Sequence, residues 1–228
     1  MTSQAGTTSA DRVYRAIRLD ILNGRLAPGS RMRVEQLRER YQVSSGVVRE
    51  ALPRLAGEGL AVLAPQQGYS VVSVSEEDLR HLTQARIAIE TQVFRQSIEA
   101  GDLEWEARVV SAHHTLSRIA MVTESGDLSE DWAPTHAAFH FALLMGCPNA
   151  WLRGLAESMR ELAEVYRSWS WKPGEARDRV IAAEHEELRD LALARDADRG
   201  CAALASHIRL TTEILLEAGC NVVGRHPT

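Results

Sequence analysis

The sequence has few cysteines, no long apolar run and a single lysine. Its three cysteines, Cys147, Cys201 and Cys220, are odd in number and show no CxxC spacing. This excludes a disulfide framework and predicts a reducing compartment. No stretch reaches the roughly 18 uncharged apolar residues of a membrane helix, and the N-terminus lacks the basic and apolar blocks of a signal peptide. We therefore expect a cytoplasmic protein without a membrane partner.

The composition is that of a globular protein, but the charge is unevenly distributed. The chain has 228 residues, of which 45% are hydrophobic and 25% charged, enough for one large domain or two modest ones. Residues 1–74, which we call the head, carry ten arginines and six acidic residues, whereas the remainder carries 16 basic and 25 acidic residues. A basic head on an acidic body predicts that the head binds a polyanion. The alternative is a chance distribution of surface charge.

The head has the pattern of a winged helix-turn-helix. Apolar residues recur at helical spacing in three successive segments: Val13, Ile17 and Ile21; Val34, Leu37 and Tyr41; Val48, Leu52 and Leu55. Asn23-Gly24 supplies a stop for the first helix, and Ser44 is the predicted N-cap of the third. Two short β-type runs at 61–63 and 69–72 flank a turn with Gly68 at its tip. Three helices and a small β-hairpin are therefore predicted.

From residue 75 to Ala218 the helical periodicity continues without a convincing strand. Breaks divide this region into about six helices and fall at 101–102, 125–127, 147–149, 172–174 and 195–200. We therefore predict a mainly α protein with an all-α antiparallel helical bundle after the head. The expected divisions are a disordered N-terminus (1–9), a DNA-binding domain (10–74), a helical domain (75–220) and a tail (221–228).

The third helix of the head carries the side chains expected to read DNA. Ser45, Gly46 and Arg49 lie opposite its apolar face, just after the predicted cap Ser44. The N-terminal residues of such a helix meet base edges in the major groove. The planar fork of arginine matches guanine or a phosphate.

Two other parts of the head are candidates for contact with the DNA backbone and the minor groove. Arg31 and Arg33 stand at the start of the second helix, where they can reach phosphates. Gln66 and Gln67 precede Gly68 at the wing tip, where they can enter the minor groove. The alternative for all of these residues is a solvated basic face.

Four histidines interrupt core-facing stripes in the predicted helical domain. His136 and His140 are four residues apart and lie one turn apart on one helix face. His185 and His207 interrupt apolar stripes on the last two helices. Such side chains can converge inside a bundle, and neutral imidazole binds Zn²⁺, Ni²⁺, Cu²⁺ or Fe²⁺. The alternative is a set of hydrogen-bonded core histidines without a metal.

Two runs of the head follow a known pattern: ILNGRLAPGSR at 21–31 and VSSGVVREAL at 43–52. They resemble the N-terminal domain of GntR-family bacterial transcription regulators. The resemblance implies a winged helix-turn-helix that binds DNA through Arg31, Arg49 and the wing around Gly68.

Three residues of the head depart from expectation. The family usually has arginine where this chain has Ser45 and threonine where it has Gly46, which implies an operator that differs from the usual sequence. Pro53 falls inside the third helix and removes one backbone hydrogen bond, so a slight kink is expected.

The helical remainder resembles the ligand-binding FCD domain of the FadR-like branch, and the whole resemblance covers residues 10–218. Metal-binding members carry Asp-x-x-x-His on one helix and one histidine on each of two later helices. His140, His185 and His207 match the three histidines, and His136 stands at the aspartate position. The resemblance implies one divalent transition metal per chain, zinc first, with nickel, copper and iron as alternatives.

Arg86 interrupts the inward-facing stripe of the first helix of this domain. A buried arginine needs a partner, and Glu90, one turn further on, is the partner that the spacing predicts. The family resemblance implies instead that Arg86 faces the cavity and binds an anionic effector. The two interpretations are compatible.

These observations lead to a functional hypothesis with two alternatives. The leading hypothesis is an effector-responsive repressor that binds an operator of two-fold character and responds to a small organic acid; the resemblance implies a homodimer. The first alternative is a sensor for which the metal is the signal. The second is a metal-dependent hydrolase, but no general-base motif such as HExxH occurs, so we predict a protein that is not an enzyme and has no catalytic residues.

Overall fold

A computed structural model of the chain describes residues 8–121, 123, 129, 131–170 and 181–217. These residues group into two compact units. The first unit contains the head, the two residues after it up to Glu76, and residues 161–169. The second unit contains residues 77–160 and the later helices.

The head begins with helix α1, Ser9–Leu22, which is started by a capping box. The hydroxyl oxygen of Thr8 accepts a hydrogen bond from the backbone N–H of Asp11 at 3.1 Å, and the Asp11 carboxylate accepts one from the backbone N–H of Thr8 at 3.3 Å. Both donors lack a partner within the helix, so the box stabilises its first turn. The helix therefore starts inside the predicted N-terminal segment 1–9, of which residues 1–7 lie outside the described part.

Helices α2 (Val34–Tyr41) and α3 (Ser45–Gly57) complete the helical part of the head. The predicted inner faces are confirmed by seven buried residues: Val13, Ile17, Ile21, Leu37, Val48, Leu52 and Leu55. Ser44 occupies the N-cap position of α3, as predicted, but its side chain makes no capping hydrogen bond. Pro53 lies on the exposed side of α3, and the helix continues past it to Gly57.

The wing is an antiparallel hairpin of β1 (Ala61–Ala64) and β2 (Gly68–Val71). Gly68 has a φ of +79°, a conformation that glycine adopts without the steric cost of a side chain. Arg31 forms an isolated bridge with Ser70, so the chain before α2 runs beside the hairpin. Three helices and this hairpin confirm the predicted winged helix-turn-helix.

Six helices follow along the described chain: α4 (Glu76–Ala100), α5 (Leu103–Ser117), α6 (Trp132–Leu144), α7 (Ala150–Ser170), α8 (Ile181–Leu193) and α9 (Ala197–Glu217). They confirm the predicted all-helical bundle. None of these helices, over the residues described, is long and apolar enough to span a membrane. The predicted breaks at 125–127 and 172–174 and the tail 221–228 lie outside the described residues.

The break before α9 is shorter than the predicted segment 195–200. Arg195 adopts a φ of 58°, and its guanidinium donates a hydrogen bond to the carbonyl of Ile98 at 2.6 Å and lies 5.2 Å above the ring of Trp105. These contacts hold a left-handed residue at the turn, so α9 begins at Ala197.

A tightly packed core positions the helices of the second unit. The indole N–H of Trp105 donates to the carbonyl of Ala142 at 2.9 Å. A Cβ atom at Gly101 would lie 2.3 Å from the Trp105 ring, so only glycine fits there. Around this contact lie fully buried residues of four helices: Phe94, Phe139, Leu188 and Leu204. The same core fixes the inner faces of α6, α8 and α9, which carry the histidines.

Candidate metal centre and DNA-binding surface

The structure brings the four predicted histidines together in the second unit. His136 and His140 lie one turn apart on α6, His185 lies on α8 and His207 on α9. Their exposed fractions are 8%, 1%, 3% and 6%, respectively. One ligand atom from each lies within 4.8 Å of the others. The convergence predicted from the core-facing stripes is therefore confirmed.

Two of the distances between ring nitrogens are close to those of a metal centre. The Nε2 atom of His140 lies 3.1 Å from Nε2 of His136 and 3.3 Å from Nε2 of His185. A single ring nitrogen carries either one proton or one lone pair, so it can serve only one of these two contacts as a good hydrogen bond. Four nitrogens bound to zinc at about 2.0–2.1 Å would lie about 3.3–3.4 Å apart in a tetrahedron. The residues therefore fit a divalent transition metal.

A carboxylate on α8 orients one of the four rings. Glu184 Oε2 accepts a hydrogen bond from Nδ1 of His207 at 2.7 Å, which leaves Nε2 of that ring with its lone pair. Carboxylate partners of this kind fix the tautomer of a ligand histidine and raise its basicity. The sequence analysis missed Glu184, because a residue adjacent to His185 does not share its helix face and only the packing of α9 reveals the contact.

Aromatic rings surround the cluster. Trp132 stacks on His136, with ring centroids 4.4 Å apart and an angle of 17° between the planes. Phe139 packs against His140 and His185, at centroid distances of 5.4 Å and 5.3 Å. These contacts hold the imidazoles in fixed orientations, as a preformed ligand set requires.

A fully buried carboxylate binds two arginines elsewhere in the same unit. Glu90 is 0% exposed; its Oε1 accepts from Nε of Arg86 at 2.6 Å and its Oε2 from Nη1 of Arg160 at 2.9 Å. Burial acts to raise the pKa of the Glu90 carboxyl, but the two guanidiniums outweigh it and hold the pKa below its ordinary value. The predicted Arg86–Glu90 pair is confirmed, and the triad carries one net positive charge.

Arg160 is a member of this triad that the sequence analysis missed. Burial, and after it the charge of Arg160, holds the pKa of His140 well below its ordinary value, so the arginine acts electrostatically on the histidine cluster. The lowered pKa keeps the imidazole neutral, which is the form that binds metal. A sequence signal existed, because Arg160 interrupts the buried stripe of Ala156 and Ala163 on α7.

The N-terminal end of α3 presents the residues predicted to read DNA. Ser44, Gly46 and Arg49 are exposed and Ser45 is half-buried. A Cβ atom at Gly46 would meet only the hydroxyl of Ser44, at an ordinary 3.8 Å. The departure from the family's threonine is therefore not imposed by packing.

Ion pairing distinguishes the arginines of the head that are predicted to contact DNA from three others. Arg38, Arg40 and Arg54 bind acidic partners at 2.9, 2.7 and 2.7 Å. Arg33 and Arg49 are exposed and have no acidic partner among the residues that the structure describes. An unpaired guanidinium keeps its full capacity for phosphate or guanine.

The start of α2 and the wing tip form one exposed surface. Arg31 donates from Nη2 to the side-chain oxygen of Gln67 at 3.2 Å. Gln66, Gln67 and Gly68 are all exposed. The wing-tip residues are thus accessible, and their contacts with DNA stay a prediction.

We expect Arg49→Ala to weaken binding to the specific operator by about 1–3 kcal/mol and to flatten the preference at one base position, because the guanidinium can contact a base edge. Fluorescence anisotropy should compare an operator duplex, selected from genomic fragments, with a random duplex at two salt concentrations.

Arg15→Ala is the matched control, because Arg15 is an exposed arginine of α1 and its loss removes the same charge. Equal losses for both variants on both duplexes would show that Arg49 contributes only general electrostatic attraction.

Two family models match this chain. The model of bacterial regulatory proteins, gntR family, matches residues 9–71. The FCD domain model matches residues 81–210. The first range contains the three helices and the wing, and the second contains all four histidines.

Curated relatives and solved structures extend this similarity over most of the chain. The uncharacterized HTH-type transcriptional regulator BphR of Paraburkholderia xenovorans (strain LB400) is 38% identical over 211 residues, which is 92% of this chain and 86% of that protein. The HTH-type transcriptional repressor GlaR of Escherichia coli (strain K12) is 32% identical over 213 residues, at 90% and 94% coverage. The solved structure of E. coli McbR/YncC has a TM-score of 0.76 at 21% identity and covers 92% of this chain and 98% of that one. The last similarity concerns the fold alone.

Proposed function

This chain belongs to the GntR family of bacterial transcriptional regulators, in the FadR-like branch with an FCD domain, and we propose that it is a repressor controlled by a small organic acid. It is a DNA-binding regulator and not an enzyme, like its relatives. The relative GlaR is named a repressor, which supports repression over activation. The observation that carries the effector proposal is the convergence of four buried histidines.

The metal centre is proposed to hold one divalent transition metal per chain, zinc first, with nickel, copper and iron as alternatives. His136, His140, His185 and His207 are the proposed ligands, with Glu184 orienting the last. All four ligands are neutral imidazole nitrogens, which bind zinc, nickel, copper and iron well. Magnesium and calcium prefer oxygen ligands. When bound, the ion supplies positive charge and a coordination position for a carboxylate.

The charge of the site supports an anion as the effector. Four neutral imidazoles leave the two charges of a divalent ion uncompensated, and the Arg86–Glu90–Arg160 triad adds one more. Positive charge in a buried site is stabilised by an anion, because little water is present to solvate it. We therefore propose Arg86 and Glu90 as effector-binding residues, and Arg160 with them.

The head is proposed to bind an operator of two-fold character, within the cytoplasm, as part of a homodimer. Helix-turn-helix dimers match the symmetry of the protein to two half-sites. The proposed contacts are Arg31, Arg33, Ser44, Ser45, Gly46, Arg49, Gln66, Gln67 and Gly68. Within this set, the exposure of Arg33 and Arg49 without acidic partners supports a role in binding phosphate or bases.

Helix α4 is the proposed connection between effector and operator. It begins at Glu76, shortly after β2 ends at Val71, and it carries Arg86 and Glu90 near its middle. A ligand that pulls the Arg86 guanidinium toward itself would tilt α4 and change the affinity of the head for DNA. A tenfold release of the operator needs about 1.4 kcal/mol of differential binding.

A metal sensor is the second candidate, and the histidine cluster itself favours it. In that case zinc alone would change operator affinity and no acid would be needed. The two candidates differ in whether titration with zinc alone or titration with an acid changes operator affinity.

The test is operator release from zinc-loaded protein by small organic acids, first selected from a panel by thermal shift. An active acid should release wild-type protein and the control Arg108→Ala, which removes an exposed arginine of α5. Arg86→Ala and Arg160→Ala should each need at least tenfold more acid, because each removes one guanidinium while the other still pairs with Glu90. Variants that respond like the wild type would contradict the bridging role, and release by zinc alone would establish the sensor.

A further inference from the structure

The outer face of α3 carries two charged side chains of opposite sign. Four exposed residues lie at spacings of three and four along the helix, which places them on one side of it: Gly46, Arg49, Glu50 and Pro53. The opposite side is packed into the head by four buried residues: Val48, Ala51, Leu52 and Leu55. Among the four exposed residues, Arg49 and Glu50 have the polar side chains, so together they determine what this face can bind.

The carboxylate of Glu50 is not used within the head. Arg54, one turn further on, is the arginine that helical spacing offers to Glu50. Its guanidinium instead binds Asp11 at 2.7 Å and lies 4.1 Å from the centre of the Tyr14 ring. Of the six acidic residues of the head, four bind an arginine: Asp11, Asp20, Glu35 and Glu58. Within the described part of the chain, the carboxylates of Glu39 and Glu50 have no such partner.

The space in front of Glu50 on this face is open. Helical side chains lean toward the N-terminus of their helix, so the carboxylate of Glu50 leans toward Gly46, one turn earlier. An added Cβ atom at Gly46 would have a single neighbour within 4 Å, the hydroxyl oxygen of Ser44. A base edge can therefore approach the helix backbone closely at this place, within reach of a side chain as short as glutamate.

The hydrogen-bonding chemistry of a carboxylate matches one base. An ionised carboxylate only accepts hydrogen bonds. In the major groove, cytosine offers the N4 amino donor without an acceptor, whereas guanine offers two acceptors, thymine one, and adenine one donor and one acceptor. A glutamate on the outer face therefore favours cytosine and is repelled by guanine and thymine. Arginine, which only donates, matches guanine in the same way.

We propose that Glu50 is a specificity-determining residue, which accepts a hydrogen bond from the N4 amino group of a cytosine in the operator. The inference rests on the proposed function, because it concerns the operator that the head is proposed to bind. Neighbouring Cα atoms are about 3.8 Å apart, close to the rise of about 3.4 Å between base pairs. The cytosine therefore lies within about two base pairs of the base that Arg49 contacts.

The negative charge of Glu50 makes this contact selective. DNA phosphates repel a carboxylate whatever the base sequence. Only a sequence that gives the carboxylate a hydrogen-bond donor offsets the repulsion, so the charge enlarges the difference in affinity between the operator and random DNA.

The experiment selects duplexes from a random library with the full-length protein and sequences the bound fraction. The wild type should enrich cytosine at one position of each half-site. Glu50→Ala should lower that preference by about 5- to 150-fold, which is the value of one good contact between a side chain and a base. Glu50→Gln should move the preference toward adenine, because a glutamine amide pairs with both groups of the adenine edge. Fluorescence anisotropy with single-base variants of the selected duplex gives the ratios.

Two further variants serve as controls. Glu39→Gln removes the same charge from an exposed glutamate of α2 and should keep every base preference. Arg49→Ala should lower the preference at its own position, within about two base pairs of the cytosine. Glu39→Gln and Glu50→Ala should both bind random duplexes at least as tightly as the wild type, because each removes a charge that phosphates repel.

The outcomes separate this inference from the proposed function. A cytosine preference that persists in Glu50→Ala, or a lost preference for another base, would overturn the inference and leave operator binding intact. A uniform gain in affinity for all duplexes would show that Glu50 only repels phosphates and would overturn it as well. Weaker binding of Glu50→Ala to random duplexes would assign the residue to the folding of the head, again against the inference. A wild type without a preference for any duplex would overturn both.

Discussion

His185→Ala is expected to weaken zinc binding strongly. Structural zinc sites bind with about 10–16 kcal/mol, so an equal share among four ligands is roughly 2.5–4 kcal/mol per histidine. This corresponds to a loss of about two to three orders of magnitude in affinity. His185 is central to the cluster, because its Nε2 lies 3.3 Å from that of His140 and its ring faces those of the other three. Elemental analysis and competition with a chromophoric chelator would measure the loss.

Two variants bracket this effect. His113→Gln replaces a buried histidine outside the cluster with another side chain that can accept the hydrogen bond from Arg189, and it should keep wild-type zinc affinity. Glu184→Gln retains all four imidazoles but weakens the orientation of His207. Losing such an outer partner costs about 10- to 100-fold in affinity, so Glu184→Gln should fall between His113→Gln and His185→Ala.

Zinc should also raise the melting temperature of the wild type but not of His185→Ala. A ligand at 100 times its dissociation constant stabilises the folded state by about 2.7 kcal/mol, or roughly 5–11 °C for a unit of this size. Full zinc occupancy in a His140/His185/His207 triple alanine variant would show that the metal binds elsewhere and would overturn the assignment.

The fold was predictable because its signals are local. Periodic apolar residues such as Val13, Ile17 and Ile21 define a buried helix face whatever the rest of the chain does. The left-handed turn at Arg195 was not predictable, because arginine has no preference for that backbone conformation. It is held by the carbonyl of Ile98 and the ring of Trp105, which are distant in sequence.

The candidate metal site was predictable to the extent that buried polar residues need partners. A histidine on a core-facing stripe must meet another polar group in the core, and four on three helices indicate a single meeting point. The pairings of Glu184 and Arg160 were not predictable, for a different reason. Their partners, His207 and Glu90, lie on other helices, and no spacing within one helix indicates which side chain a neighbouring helix will offer.

Glu90→Gln is expected to destabilise the helical unit by about 3–5 kcal/mol. The substitution keeps the size of the side chain but removes the carboxylate that Arg86 and Arg160 share, and these two arginines are 8% and 9% exposed. The two buried guanidiniums then face the neutral amide of the glutamine, which does not compensate their positive charges. Urea unfolding of the full chain, followed by circular dichroism, would measure the loss. Glu104→Gln is the control, because it breaks an exposed pair with Arg108 on α5 and should change stability little.

The difference in stability between the wild type and Glu90→Gln depends on pH because the pKa of Glu90 is lowered. Because the pKa in the folded state lies below the ordinary value of 4.5, the ionised carboxylate stabilises the fold at every pH above about 4.5. That contribution is lost as the pH falls through the folded-state pKa. The gap between wild type and Glu90→Gln should therefore be constant from pH 6 to 8 and should narrow in acid. A gap that widened in acid would show that the two arginines do not depend on the charge of Glu90.

An apolar replacement of the whole triad separates its structural role from its proposed role in effector binding. Buried ion networks replaced by apolar residues of similar volume are often as stable as the original or more so. The triple variant Arg86→Met/Glu90→Leu/Arg160→Met should therefore recover most of the stability that Glu90→Gln loses, and it should still bind zinc through the four histidines. It should no longer release the operator in response to the acid, because both guanidiniums are gone. A stable triple variant that responds to acid like the wild type would show that the triad only holds helices α4 and α7 together.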